Sequence, residues 1–309
     1  MSAVLRLLNS ERDDESLIAG FLLGRPVTTQ RVYRNELRCF LTFLNRPASR
    51  ADAADLRGYI EQCRKAKLSL GTIRHKVAVI KSFFAFLFEE GELAEDPMTR
   101  IATPPNPTLE SSRCLSGEQV AGFFGLIPKH RMVGLRDRAI FLLAANCGLR
   151  LSELSRLSVG DISEGPEKGW RTIRIQGKGE RVREVHARPE VWEFVLAYLQ
   201  RRKDSLSEPS PLFASVLRGR SIRPQAGDLR IPPATIYKRF KRLSRKAGLP
   251  SWASPHCLRH YFAAESHQNG APAEAVRRAL GHSSLKTTQR YLDRMTSGVN
   301  EAFARVRAL

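Results

Sequence analysis

The chain has 309 residues, long enough to bury two hydrophobic cores rather than one small one. Its 51 Lys and Arg against 31 Asp and Glu give a formal charge of +20 and a pI near 10.4, which favours a polyanion such as nucleic acid over an acidic small molecule as partner. Five scattered cysteines without CxxC spacing argue against a disulfide framework or a structural zinc, and no apolar run of about 18 residues or export signal occurs, so a cytoplasmic protein free of the membrane is expected.

From residue 1 to about 92 apolar residues recur at helical spacing. Residues 17–23 open the series, Tyr33, Leu37, Phe40, Leu41 and Leu44 make a second stripe, 53–66 a shorter third helix, and Ile73, Val77, Ile80, Phe84, Leu87 and Phe88 a fourth. Four helices with no strand signal predict a small bundle. Residues 25–88 hold 13 Lys and Arg against 4 Asp and Glu, and Arg31, Arg34, Arg38, Arg74, Lys76 and Lys81 lie off the stripes. Given the charge of the whole chain, they predict a phosphate-contacting face; the alternative is a merely solvated one.

Pro97, Pro104, Pro105 and Pro107 forbid a continuous helix across 92–112, which predicts an extended linker between a first domain of residues 1–105 and a second of residues 113–309. Ser116-Gly117-Glu118-Gln119 reads as a capping box, and an apolar helix follows around 140–145. In Cys147-Gly148-Leu149-Arg150-Leu151-Ser152-Glu153, Gly148 can end that helix and Ser152 can start another, which puts Arg150 at a junction of two buried elements, where it needs a partner.

Residues 170–176 and 181–186 alternate as strands, and Gly177-Lys178-Gly179 reads as the turn of a hairpin with Lys178 at its tip. A helix over 191–200, a short extended stretch over 211–214 and a basic loop over 215–233 come next. Over 235–247 Ile236, Phe240, Leu243 and Ala247 form a buried stripe, while Lys238, Arg239, Lys241, Arg242, Arg245 and Lys246 crowd the rest. Six cations in nine residues repel one another unless a phosphate backbone or a DNA groove receives them. The predicted fold is therefore mainly α with a small β-hairpin sheet: a helical bundle followed by an α+β domain.

The last third concentrates chemistry. It carries Pro255-His256-Cys257-Leu258-Arg259-His260, then Leu280-Gly281-His282, then Tyr291. His256 and His260 stand at metal-pair spacing, but no acidic ligand lies between them, and one of them reads more simply as a core histidine. Guanidinium groups, imidazoles and a phenol suit attack on a phosphodiester: a tyrosine with an ordinary pKa of about 10 needs cations around the phosphate and a nearby proton acceptor. Arg150, Lys178, His256, Arg259, His282 and Tyr291 together meet those needs.

This ordered set resembles the tyrosine recombinase family, which includes phage integrases and Xer proteins, over roughly 115–295. Gly148-Leu149-Arg150, Gly177-Lys178-Gly179, His256-x-x-Arg259, Leu280-Gly281-His282 and Tyr291 carry the likeness; Cys257 departs from the polar residue common at its position. The resemblance implies a SAM-like core-binding domain in the first half. It implies Tyr291 as nucleophile forming a 3′-phosphotyrosyl link, Arg150 and Arg259 on the phosphate with His282, Lys178 as the acid for the leaving oxygen, His256 for the tyrosine proton, and Glu153 supporting the arginine-bearing helix. No cofactor or metal is implied. It further implies double-stranded DNA with inverted-repeat half-sites as partner, a homotetramer on two paired sites, and a tail helix over 298–309 that docks on its own domain or on a neighbour. A type IB topoisomerase and a vestigial DNA-binding protein are the alternatives. The target sequence, the choice among integration, excision and dimer or transposon resolution, and the need for accessory proteins or a partner recombinase stay open.

Overall fold

The computed structural model describes residues 13–105, 114–177, 182–202, 206–216 and 229–282, and packing divides the chain into two units, Met1–Leu109 and Glu110–Leu309. Among the described residues the first unit has four α-helices: α1 (Asp14–Leu22), α2 (Val27–Leu44), α3 (Ala53–Lys65) and α4 (Leu70–Glu89). Their starts follow from short polar caps. Asp13 accepts from the Ser16 amide at 2.6 Å, Asp52 and Asp55 form a capping box, and Ser69 accepts from the Thr72 amide at 3.2 Å. Helix α2 ends at Asn45 in the left-handed conformation, φ 51°.

The expected stripes meet in one core, where Phe40 stands edge-on to Tyr59 and Phe84 with centroids 5.3 and 6.1 Å away. Phe88 is a correction: it is 47% exposed, and Phe83, fully buried, takes the inward position. The proline-rich stretch differs too. Met98 and Ile101 are packed into this core, Lys81 Nζ donates to the Ile101 carbonyl at 2.6 Å and Arg74 donates to that of Pro104, so the segment expected to be linker from residue 92 clings to the bundle through Pro104.

In the second unit the predicted Ser116–Gln119 capping box starts α5 (Gly117–Gly125), with bonds of 3.0 and 3.2 Å. Helix α6 (Met132–Cys147) is buried along nearly its whole length and packs against α8 (Pro189–Arg201) and α10 (His256–Gln268). Short α7 (Leu151–Arg156) leads to a three-stranded antiparallel sheet, β1 (Ile162–Glu164), β2 (Arg171–Gln176) and β3 (Val182–Ala187), in the order β1-β2-β3, with Ile173 opposite both Ile162 and Val185. The pairing of β2 with β3 is as expected, the turn expected at Gly177-Lys178-Gly179 lies largely outside the described residues, and β1 is additional. Helices α9 (Pro233–Lys246) and α11 (Ala273–Leu280) are the remaining α-helices among the described residues, and Phe123, Phe141 and Phe240 cluster at the unit's centre, 4.9 to 5.6 Å apart. Residues 217–228, most of the expected basic loop, and the tail 298–309 lie outside the described residues. Among the described residues no helix is long and apolar enough to cross a membrane.

Candidate active site

The site forms where three helices end or begin. Helix α6 stops at Gly148, whose φ of +65° favours glycine and whose added Cβ would fall 2.6 Å from Phe262. That stop leaves the Gly148 carbonyl unused by the helix, and it accepts from Arg259 Nη1; Nη2 of the same arginine donates to the Leu280 carbonyl at the end of α11. A guanidinium only 2% exposed is thus held by two backbone dipoles, which fix its direction without cancelling its charge.

Arg150, rather than Ser152, is the cap residue of α7, and Glu153 reaches back to it: the carboxylate accepts from the Arg150 amide at 2.7 Å and from its Nη1 at 2.8 Å. This supplies the partner that the buried junction required. The Arg150 side chain stays 37% exposed, and Nη2 lies 3.4 Å from the Gly281 carbonyl, next to His282. Burial alone would push the Glu153 carboxyl up, but hydrogen bonds from Arg183 and the Arg150 amide outweigh it and hold the group down at about 2.

His282 follows Gly281, again left-handed at φ +62°; its amide donates to the Arg277 carbonyl at 3.1 Å and its own carbonyl accepts from Arg277 Nη1 at 2.7 Å. Burial, then Arg259 and Arg150, lowers its imidazole to about 4. His260 meets the His256 ring edge-on with centroids 4.5 Å apart, and burial, followed by His256 and Arg259, brings it to about 3. His256 reaches solvent, yet the protein around its ring and the charges of Arg259 and Arg150 lower it as well. Neutral imidazoles among guanidinium groups can donate or accept a hydrogen bond without adding charge, and a ring that takes up a proton becomes a cation. Arg150, Glu153, Arg183, Gly281 and His282 border a cleft of about 1570 Å³. Lys178 and Tyr291 lie outside the described residues.

Arg183 is the residue that sequence reasoning missed. Its signal was the period of β3, which sets Arg183 on the same face as the buried Val185 and Ala187.

The cations expected to face phosphate divide into two groups. Six of them have a partner within the protein. Arg239 Nε donates to the buried Asp137 at 2.7 Å, and Lys241 Nζ donates to the carbonyls of Ser251 and Ala253 at 2.8 Å each. Arg74 and Lys81 fasten the segment before residue 105, and Lys76 pairs with Glu36. Arg38 is bidentate on Glu15 at the surface, at 2.7 and 3.0 Å. Lys238, Arg242, Arg245 and Lys246 on α9 and Arg31 on α2 are exposed, and Arg34 is half-buried.

The model of the phage integrase family matches residues 114–297, and that of the phage integrase N-terminal SAM-like domain matches 24–91. Tyrosine recombinase XerC of Rhodospirillum centenum is 33% identical over 282 residues, which cover 87% of this chain and 78% of that protein. Tyrosine recombinase XerA of Pyrococcus furiosus is 31% identical over 307 residues, 98% of this chain and 96% of its own. The fold is shared with a lambda integrase dimer bound to a COC′ core site, at TM-score 0.71 and 14% identity over 96% of this chain and 95% of that one. It is also shared with XerH recombinase bound to palindromic difH substrate in a post-cleavage complex, at TM-score 0.67 and 22% identity, 88% and 78% covered.

Proposed function

The chain belongs to the phage integrase family of tyrosine recombinases, enzymes that break and rejoin DNA strands at defined sites, and on that premise we propose that Tyr291 is its nucleophile, working against a phosphate held by Arg150, Arg259 and His282. The observation that supports this reading most directly is the meeting of both arginines and the His282 turn at the ends of α6, α10 and α11.

The phenol oxygen of Tyr291 attacks phosphorus while the bond to the 5′ oxygen breaks, which leaves a 3′-phosphotyrosyl link and a 5′-hydroxyl. His256, neutral at physiological pH, takes the phenol proton, and Lys178 gives one to the departing 5′ oxygen. Arg150 and Arg259 bear the charge that builds on the non-bridging oxygens, with His282 adding an uncharged hydrogen bond. One phosphoester replaces another, so the reverse attack by a 5′-hydroxyl rejoins the strand without ATP, and the protein's own cations do the work that a metal does elsewhere. Exchange between two duplexes calls for four protomers on paired sites of inverted half-sites; the tail over 298–309, docked on a neighbour, would link them, and accessory proteins or a second recombinase would decide which exchange follows.

A duplex nicked beside the cleavage point, so that the cut strand cannot be rejoined, tests the assignment. Wild type should accumulate a covalent adduct in EDTA without ATP, and Tyr291→Phe should bind the same duplex and form none. An adduct that persists in the phenylalanine variant, or one mapped to Tyr261, would overturn it.

A further inference from the structure

Arg183 takes no part in that mechanism, yet its whole guanidinium is engaged at the cleft. Nη1 and Nη2 donate to Glu153 Oε1 and Oε2 at 3.0 and 2.9 Å, and Nε donates to the Ala279 carbonyl at 2.9 Å. The same two carboxylate oxygens accept from Arg150, so one acid joins both arginines. A Cβ added to Gly281 would come within 3.1 Å of Arg183 Cδ, Nε and Nη1, which means that the turn before His282 closes directly on this side chain.

Resting on the cleavage reading above, we propose that Arg183 is a positioning residue for strand cleavage: it takes up the charge of Glu153, so that Arg150 keeps its own for the phosphate, and it fastens the last turn of α11 to the same carboxylate. Two guanidinium groups and one carboxylate leave a single positive charge facing the cleft. Without Arg183, Arg150 and Glu153 sum to zero, and a carboxylate whose side chain is only 3% exposed draws its one remaining partner inward. The Ala279 bond adds geometry to charge. It ties β3 to the element that presents His282, so that Arg150 and His282 share one anchor.

Arg183→Gln and Arg183→Lys in the full chain separate this role from fold maintenance. Both should bind a half-site as wild type does; the glutamine variant should melt lower, because the buried Glu153 loses one of its two arginines, so rates are compared at a temperature where every variant is folded. In single turnover on the nicked duplex, the glutamine variant should form adduct about 10- to 100-fold more slowly, the range seen when groups that orient directly acting ones are removed. The lysine variant, which retains the charge, should recover most of that loss. On a duplex with an uncharged methylphosphonate at the scissile position, the ratio of glutamine variant to wild type should approach one, because a neutral centre no longer calls on Arg150's charge. Equal rates for Gln and Lys, or the same ratio on both duplexes, would overturn the charge role. A glutamine variant as fast as wild type removes Arg183 alone, whereas no adduct from wild type overturns the cleavage reading and this inference with it.

Discussion

Imidazoles and guanidinium groups crowd together around the ends of α6, α10 and α11, and the consequence is a site that resists taking up protons. His260 and His282 stand near 3 and 4 against an ordinary 6.5, so between those values the unfolded chain binds protons that the folded one does not. Stability contributed by these rings is present above about pH 6.5 and falls away as pH drops below it. Glu153 has the same sign: held near 2 against an ordinary 4.5, it loses its contribution as pH falls from 4.5 towards 2. The melting temperature should therefore be lower at pH 5 than at pH 7.5 at constant salt, and His260→Gln should shrink that difference; an identical difference in the variant would mean that the ring does not titrate in this window. Most of these residues were legible in the sequence, because His256, Arg259 and His282 sit in short motifs and Arg150 at a helix junction. Arg183 was not singled out, since the period of β3 places it on the inward face but does not reveal the acid 30 residues away that it pairs with.

At the scale of elements, α9 shows what periodicity reveals and what it conceals. Its buried stripe of Ile236, Phe240 and Leu243 follows from spacing alone. Which cations it presents does not, because the partners of Arg239 and Lys241 lie on other segments: Asp137 in α6, and carbonyls just before α10. Removing Arg239 leaves Asp137 with Arg136 as its one paired arginine, and breaking a buried pair of this kind costs about 3 kcal/mol. Arg239→Ala should thus lower the denaturation midpoint, whereas Arg242→Ala should leave it unchanged and reduce the salt dependence of DNA binding by about one unit of slope. The reverse pattern would exchange their roles. Strand β1 escaped notice for a related reason: three residues, two of them exposed, carry no alternation, and only pairing with β2 makes them a strand.

For the whole molecule, composition pointed to two cores; among the described residues each unit has its own large core, and the second has a small cluster of Ala263, Val276 and Leu280 besides. Prolines located the break between them only coarsely, since a proline forbids helix but does not reveal that Arg74 and Lys81 bind the carbonyls that follow. The buried acids have a further effect. Asp137 and Glu153 each face two arginines, so the interior neutralises no surplus, and the +20 of the chain is left largely to surfaces such as the exposed side of α9. Like-charged particles repel until something screens them, and salt does so only beyond a Debye length of about 10 Å at 0.1 M. Free copies should therefore scatter light as monomers at low ionic strength and associate only when duplex carrying both half-sites is added; oligomers without DNA would contradict this. The substrate then acts as the counterion of its own enzyme, and strand exchange is withheld wherever there is no DNA to exchange.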